Sequence, residues 1–420
     1  MYNFLIFDLD DTLAATGMLE HFRGAANVGK NTQEYSHALR ASIMLAGLQP
    51  SIPQQFLLEL KAEKPHAKFA VVTTSPVSYA LTLLDYFYPQ FAWDAVVGYE
   101  NVARTKPDPE GLYQAFERAG CDPNWNRDSI VLIGDSIKDV TAAYRSGIRV
   151  ILYTACWPQQ PGTERFKAAN LLPDAQVKTL ESLRDAIDNP NDRLPAFELA
   201  VAGAQFGNVR SPKINHFCNH PDERLPNGRS PSVSVYTLGR LFAEYKIIAE
   251  RRAWHLPTQQ IHDHKNASRF PTAWVIAILQ AVGKLARELP AVVFGFTPLV
   301  FTCIPRKPNR PPRLELLLQQ VQAEYQHIGA GDYEFAPAAL VYDIGALSHH
   351  GEHLKGLQRF ENARDFLRVA NPEQIRGKTV VVLDDVVTSG ASLFYADKKL
   401  KAAGANSVIC LALTQTIGEV

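Results

Sequence analysis

Asp8 and Asp10 stand two residues apart, directly after the apolar run Phe4-Leu5-Ile6-Phe7. Carboxylates so placed at the end of a buried strand can both point into one crevice, and in an open parallel sheet ligands bind at that carboxyl edge. Two carboxylates that close stay ionised together only beside a cation, which implies a metal. Three later segments carry complementary chemistry. Thr73 and Thr74 follow the apolar run Phe69–Val72 and offer hydroxyls. Lys106 sits in Lys106-Pro107-Asp108-Pro109, after a loop and before a helical pattern. Gly134-Asp135-Ser136-Ile137-Lys138-Asp139 follows the run Ile130–Ile133. Together they supply a nucleophile, an acid–base group, a hydroxyl, a fixed cation and metal-binding carboxylates. Phosphoryl transfer needs that set, because its catalysis is positioning plus neutralisation of charge on the phosphoryl oxygens. Asp139 also reads as a first-turn helix acid favoured by the macrodipole. Thr73 against Thr74 is a question of register, and Thr73 is the preferred reading.

A second constellation lies near the other end of the chain. The β-branched run Thr379–Leu383 leads into Asp384-Asp385 and then Thr388-Ser389-Gly390-Ala391-Ser392. A buried strand thus delivers two carboxylates to a sheet edge, and a loop of small residues opens a helix. Small residues let backbone N–H groups close around a phosphate, while hydroxyls and the helix N-terminus add donors and positive potential. Paired acids beside such a cradle suit the hydroxyls of a ribose.

The elements that must position these groups follow from periodicity. Apolar strands at Phe4–Phe7, Phe69–Val72, Ile130–Ile133 and Val150–Tyr153 alternate with amphipathic stretches at Pro109–Ala119 and Val140–Ser146. That alternation predicts a parallel sheet covered on both faces. Pro190, Asn191, Asp192 and Pro195 form a polar, proline-bearing break, read as a linker over 189–195. The domains predicted are 1–188 and 196–420. In the second, helices are expected at Thr272–Arg287, Arg313–Tyr325 and Asp397–Ala403, and strands at Val292–Phe296, Val300–Ile304 and Val408–Leu413. Residues 205–233, rich in Asn, Pro, Gly, Ser and Arg, are expected to contribute little core. Both domains are therefore α/β.

Phe7-Asp8-Leu9-Asp10-Asp11-Thr12-Leu13, Val71-Val72-Thr73-Thr74-Ser75, Lys106-Pro107-Asp108-Pro109 and Gly134–Asp139 resemble, in order, the four motifs of the haloacid dehalogenase (HAD) superfamily. The resemblance covers residues 1–188 and implies a Rossmann-like fold with a short helical cap at about 14–54. It implies a phosphatase in which Asp8 attacks phosphorus to give an aspartyl-phosphate. Asp10 would protonate the leaving group and then activate water. Thr73 would bond the phosphoryl group and Lys106 would stabilise its charge. Mg²⁺ would lie on Asp8, Asp135 and the Asp10 carbonyl, with Asp139 supporting. An aspartate at position 10 favours a phosphatase over a dehalogenase.

The segment 380–392 resembles the phosphoribosyl-pyrophosphate (PRPP) signature of type I phosphoribosyltransferases, and residues 230–418 are similar to the ComF-like branch. The resemblance implies a type I phosphoribosyltransferase fold with a hood at about 196–270. Thr388, Ser389, Gly390, Ala391 and Ser392 would hold the 5′-phosphate, and Asp384 and Asp385 the ribose. Arg306 and Lys307, in Cys303-Ile304-Pro305-Arg306-Lys307, stand where that branch has its pyrophosphate loop, with Arg310 and Arg313 following. His353–Ala363 resembles the segment carrying an Arg and an Asn before the PRPP loop. Two features depart from the pattern: Leu314-Glu315-Leu316-Leu317-Leu318 replaces an Arg-Gly-Phe-Asn-Gln run, and no four-cysteine zinc ribbon precedes the domain. The expected whole is a bifunctional enzyme of nucleotide-type metabolism acting on small phosphorylated metabolites. The alternative is a phosphatase whose second domain is a non-catalytic PRPP or nucleotide sensor, or a ComF-like accessory module.

Composition bounds the remaining classes. The chain has 420 residues, 46% hydrophobic and 20% charged, a globular balance that excludes a wholly disordered chain. Lys plus Arg and Asp plus Glu are both 43, so no general attraction to nucleic acid or anionic membrane is expected. Five scattered cysteines without a C-x-x-C fit a reducing cytosol. No basic n-region precedes Asp8, and the uncharged stretch Leu289–Pro305 is shorter than the roughly 20 residues of a span. A cytoplasmic protein outside the membrane is expected, and a homodimer is compatible with it. Gly24-x-x-x-x-Gly29-Lys30-Asn31 nearly matches a phosphate-binding P-loop, but Asn31 replaces Ser or Thr and no strand precedes it. His216, Cys218, His220, His255, His262 and His264 fit no zinc spacing.

Overall fold

The computed structural model describes residues 2–122, 125–159, 162–203, 210–288, 299–328, 333–347, 354 and 356–418. They divide into two compact units. The first comprises residues 1–193 with 243–254 and 418–420; the second comprises 194–242 with 255–417. The second unit is therefore not one continuous stretch after the linker, since Ala243–Trp254 belongs with the first. Among the described residues no helix is long and apolar enough to cross a membrane.

The first unit is built on six parallel strands: β1 (Phe4–Phe7), β2 (Lys68–Val72), β3 (Ala95–Val97), β4 (Ile130–Gly134), β5 (Arg149–Tyr153) and β6 (Ala175–Val177). Their order in the sheet is β3-β2-β1-β4-β5-β6. β1, β4 and β5 are buried at every residue, which is why they read as continuous apolar runs. The three-residue edge strands β3 and β6 carry too short an apolar signal to stand out in the sequence. β1 sits at the centre between β2 and β4, so Asp8 leaves the sheet at its middle. Between β1 and β2 lie a 3₁₀ turn, Gly17–Phe22, and the helix Gln33–Leu45, whose Tyr35, Leu39 and Ile43 enter the same core as Tyr79 and Leu83.

The second unit carries β7 (Lys213–Phe217), β8 (Ser232–Thr237), β9 (Arg240–Phe242), β10 (Leu299–Cys303), β11 (Tyr333–Phe335), β12 (Leu340–Tyr342), β13 (Leu367–Val369), β14 (Thr379–Val387) and β15 (Ser407–Ile417). The main sheet runs β11-β10-β14-β15-β8-β7, with β9 on the far end of β15 and β7 antiparallel. β12 and β13 form a separate antiparallel pair. The expected strand at Val292–Phe296 lies outside the described residues. The Asn- and Pro-rich stretch contributes more core than its composition suggests: Ile214, Cys218 and Val233 are buried. The leucine-rich stretch after Arg313 folds into the helix Arg313–Ile328, where Leu314, Leu317, Leu318 and Val321 pack into the core. Those leucines are spaced for one buried helix face, which explains why polar residues do not stand there.

Candidate functional sites

In the first unit the four motifs converge at the carboxyl edge of the sheet. The backbone N–H of Asp8 donates to the Ile133 carbonyl at 2.8 Å, which ties the turn after β1 to β4. Lys106, reached through a loop that ends in a cis Lys106–Pro107 bond, puts Nζ 2.5 Å from Asp8 Oδ1 and 2.6 Å from Asp139 Oδ1. The other Asp139 oxygen accepts from Ser136 N at 3.0 Å and Ser136 Oγ at 2.6 Å, capping the helix Ile137–Ser146. Both Asp139 oxygens are thus engaged. Gly134 ends β4 directly under Asp139, and a Cβ there would collide with the Asp139 side chain. That contact, invisible in the motif, calls for glycine at this place.

Asp10 faces the same crevice with its carboxylate held from two sides. Thr16 Oγ1 donates to Oδ1 at 2.6 Å and Tyr79 Oη at 3.0 Å, with Arg23 Nη1 3.4 Å away. Ser75 Oγ donates to Oδ2 at 2.6 Å, and Thr73 Oγ1 lies 3.4 Å from it. Thr73 is the buried member of the threonine pair, and its Oγ1 accepts from Ser75 N at 3.0 Å. Thr16, Arg23, Ser75 and Tyr79 were not picked out from sequence. Ser75 lies beside the quoted Thr73-Thr74 pair; the other three carry no local signal, since folding alone brings them to Asp10.

Asp8, Asp135 and Asp139 are all buried, and they offer carboxylate oxygens within 4.8 Å of one another. Burial pushes the Asp8 carboxyl well above the usual carboxylate range, with Lys106 opposing. Burial, reinforced by Asp139 and Asp11, pushes Asp135 up to about 7. For Lys106 burial works downward, but the Asp139 and Asp8 carboxylates outweigh it and hold the ammonium above its ordinary value. One ammonium among three buried carboxylates leaves an excess of negative charge. An oxygen-liganded divalent cation would balance it, so the donor set fits Mg²⁺.

The second unit gathers the other constellation around a cleft of about 380 Å³. Asp384 and Asp385 end the apolar part of β14, and residues 388–392 wrap into the N-terminus of the helix Ala391–Ala402. Gly390 adopts φ 73°, and a Cβ there would run into the His216 ring, so the loop requires glycine twice over. Thr388, Ser389, Gly390, Ala391 and Ser392 all line the cleft together with both aspartates. Lys307 and Arg313 line it as well; Ile304 N donates to the Leu383 carbonyl at 2.9 Å, which sets their loop beside β14. Arg313 pairs with Asp385, and its Nε and Nη2 are buried without a partner. The Lys307 ammonium is likewise buried and unpartnered, 5.2 Å from the Tyr342 ring, and burial lowers it to about 8. Burial raises Asp384 to about 7 against the pull of Arg313 and Lys307.

Arg306 is not among the residues lining this cleft. It is exposed, donates its N–H to Glu315 at 2.8 Å and borders a neighbouring cavity. Arg359 does line the cleft, within the segment 353–363 singled out from sequence, although His353 and Lys355 lie outside the described residues. Asn362 of that segment is buried and bonds the backbone of Leu347. The histidines and cysteine between 216 and 264 do not converge: the aspartate trio is the one metal-competent group among the described residues. His220 contacts Arg364, His255 contacts Glu198 and Thr258, and His264 contacts the Gln260 carbonyl. In the P-loop look-alike, Gly29 N donates to Glu100 and Lys30 to Asn27, at the surface.

Residues 53–153, which lie within the first unit, match the family model of the haloacid dehalogenase-like hydrolases. Pyrophosphatase PpaX of Bacillus velezensis is 37% identical over 57 residues, 14% of this chain and 24% of that protein. Phosphoglycolate phosphatase of Nitrosospira multiformis is 38% identical over 77 residues, 18% of this chain and 30% of that protein. The chain thus spans less than a third of the length of either relative. Among solved structures, CbbY from Rhodobacter sphaeroides is 20% identical, covering 44% of this chain and 96% of its own, at a TM-score of 0.33. A HAD-superfamily hydrolase from Ehrlichia chaffeensis is 18% identical, covering 45% and 98%, at a TM-score of 0.30.

Proposed function

We propose that the first unit hydrolyses small phosphate monoesters through an aspartyl-phosphate on Asp8. The observation that carries this reading is the Lys106 ammonium shared by Asp8 and Asp139, within a buried carboxylate trio at the sheet's carboxyl edge. An Asp8 oxygen forms a bond to phosphorus as the ester P–O bond breaks, and Asp10 delivers its proton to the leaving oxygen. Asp10 then takes a proton from water, whose oxygen attacks phosphorus and frees Asp8 and inorganic phosphate. Lys106 and the Thr73 hydroxyl neutralise and orient the phosphoryl oxygens. Asp139 acts through Lys106, whose Nζ it holds. Asp8, Asp135 and the Asp10 carbonyl would hold Mg²⁺, which supplies further charge neutralisation when bound. Release of phosphate from p-nitrophenyl phosphate and from sugar and nucleoside monophosphates tests this. Asp8→Asn is expected to abolish turnover while the protein stays folded by circular dichroism; a variant as active as wild type removes Asp8 as nucleophile.

For the second unit we propose PRPP binding and phosphoribosyl transfer, with the pentose product or a related ester as a substrate for the first. This rests on one cleft that combines paired acids, a Gly-centred hydroxyl loop at a helix N-terminus and four cationic side chains, Lys265, Lys307, Arg313 and Arg359. Calorimetric titration of Mg²⁺–PRPP should give binding that Asp384→Asn/Asp385→Asn loses. No binding to folded wild type would sink the reading. One observation favours a sensor instead: the stretch after Arg313 is spent on core leucines, so it sends few polar groups to the cleft. PRPP binding that alters phosphatase activity, without pyrophosphate release for any acceptor, would select that alternative.

A further inference from the structure

We infer that Arg165 forms, at the mouth of the first site, a subsite for a second anionic group on the phosphate ester, a carboxylate or another phosphate. This rests on the phosphatase reading of that site and names the class of its substrate.

Two arginines close on the loop that runs from Asp10 to Thr16. Arg23 reaches it from the end of the 3₁₀ turn Gly17–Phe22, and its guanidinium is already committed. Nη2 donates to the Thr16 carbonyl at 2.6 Å, and Nη1 lies 3.4 Å from Asp10 Oδ1. Arg165 reaches the loop from the helix Thr163–Asn170, which follows β5. Among the described residues its guanidinium has one ionic partner, and a distant one: Nη2 is 3.7 Å from Asp11 Oδ2. Asp11 has a closer partner of its own, since Oδ1 accepts from Thr16 N at 3.2 Å. An ion pair that long, between two half-buried side chains, contributes little, so an anion brought by a ligand can take the place of Asp11.

The place of Arg165 is nevertheless set. Trp157, in the loop after β5, donates Nε1 to the Asp135 carbonyl at 3.0 Å, which fixes its ring to the turn that carries a candidate metal ligand. The Arg165 guanidinium lies 6.0 Å from the centre of that ring. A guanidinium packed on an aromatic face keeps its edge N–H groups for other acceptors. Its charge is also felt inside the site. Burial, Asp139 and Asp11 raise the Asp135 carboxyl, and Lys106 and Arg165 oppose that rise.

The loop orders these groups from inside to outside. Side-chain exposure rises from 10% at Asp8 through 13% at Asp10 to 31% at Asp11. Lys106 stands at the inner end, on the nucleophile, where the transferred phosphoryl group must sit. Arg165 stands at the outer end, where the leaving alcohol projects. A neutral alcohol leaves Arg165 on Asp11. An anionic one would face the carboxylates of Asp10, Asp11 and Asp135 at this mouth, and one guanidinium offsets that repulsion. It trades the long Asp11 pair for a charge-assisted contact that a guanidinium can make with two N–H groups.

The test uses the full chain with Mg²⁺ and matched esters. Phosphoserine and phosphoethanolamine differ by a carboxylate; ethylene glycol bisphosphate and hydroxyethyl phosphate differ by a phosphate. p-Nitrophenyl phosphate is the reference without a second anionic group. Steady-state phosphate release should give the more anionic member of at least one pair a kcat/KM about tenfold or more above its partner, carried mainly by KM. Which pair shows it tells carboxylate from phosphate. Arg165→Met should lower kcat/KM for that ester about tenfold more than for p-nitrophenyl phosphate, and Arg165→Lys should restore part of the difference. Turnover with no preference in either pair overturns the inference and leaves the phosphatase reading standing, as does a preference that Arg165→Met leaves intact. An equal loss on every ester in Arg165→Met also overturns it, because that marks a structural role. No turnover of any ester by folded wild type overturns both.

Discussion

At the scale of single residues, the first site depends on groups that fix other groups. Ser75, Tyr79 and Thr16 hold the Asp10 carboxylate in place. General acid–base catalysis is worth about 10²–10⁴-fold, and part of that depends on where the carboxyl points. Ser75→Ala and Tyr79→Phe should each lower kcat by about tenfold with a smaller change in KM, measured by steady-state phosphate release. Lys106→Met removes the cation that Asp8 and Asp139 share, so kcat should fall by about a hundredfold or more. Asp8, Asp10, Lys106 and Asp135 were legible in the sequence because each closes an apolar strand or opens a helix, where side-chain chemistry has few structural reasons to exist. Tyr79 and Arg23 were not, since an aromatic or a lone arginine inside a helical or loop pattern looks like any core or surface residue.

At the scale of elements, contacts at strand ends decide what the motifs tolerate. Gly134→Ala would press a methyl group into Asp139 and displace the partner of Lys106. Phosphatase activity should drop well beyond any loss in melting temperature. In the second unit the join of β9 to the helix Leu256–Asp263 is electrostatic. Burial alone would raise the Glu198 carboxyl, but Arg240 and His255 hold it well below the usual range. A group depressed on folding stabilises above its unfolded pKa, about 4.3 for Glu, and that contribution fades as pH falls below it toward the folded value. Thermal melts of wild type should therefore lose stability on acidification below about pH 4.3, and Glu198→Gln should show a shallower loss. Hydrophobic periodicity disclosed the long central strands and the amphipathic helices. It did not disclose β3, β6 or β9, three-residue strands whose existence depends on a neighbour already in place.

At the scale of the whole molecule, the division of the chain is set by packing. Ala243–Trp254 belongs to the first unit because Arg251 is buried there on Asp174 and on the Ile148 carbonyl, and Trp254 Nε1 donates to the Gly147 carbonyl at 2.8 Å. Gly147, at φ 77°, lies so close to Glu250 that a side chain would collide. A chain ending at Arg193 would leave Asp174 buried without Arg251. Breaking a buried pair from one side costs about 3–5 kcal/mol. Such a chain, and Arg251→Met in the full protein, should melt well below wild type in the first unit's transition. The sequence by itself determined the two α/β halves, the order of the four acidic and basic motifs and the small-residue loop after Asp384-Asp385, because these are local: a buried strand, a polar terminus and small residues in series. Only the tertiary structure decided that Thr16, Arg23, Ser75 and Tyr79 meet on Asp10, that Arg306 turns away while Arg313 and Arg359 join Lys307, and that a segment beyond the linker completes the first unit. Those outcomes depend on side chains tens to hundreds of residues apart competing for the same buried space and charge, which no local pattern records.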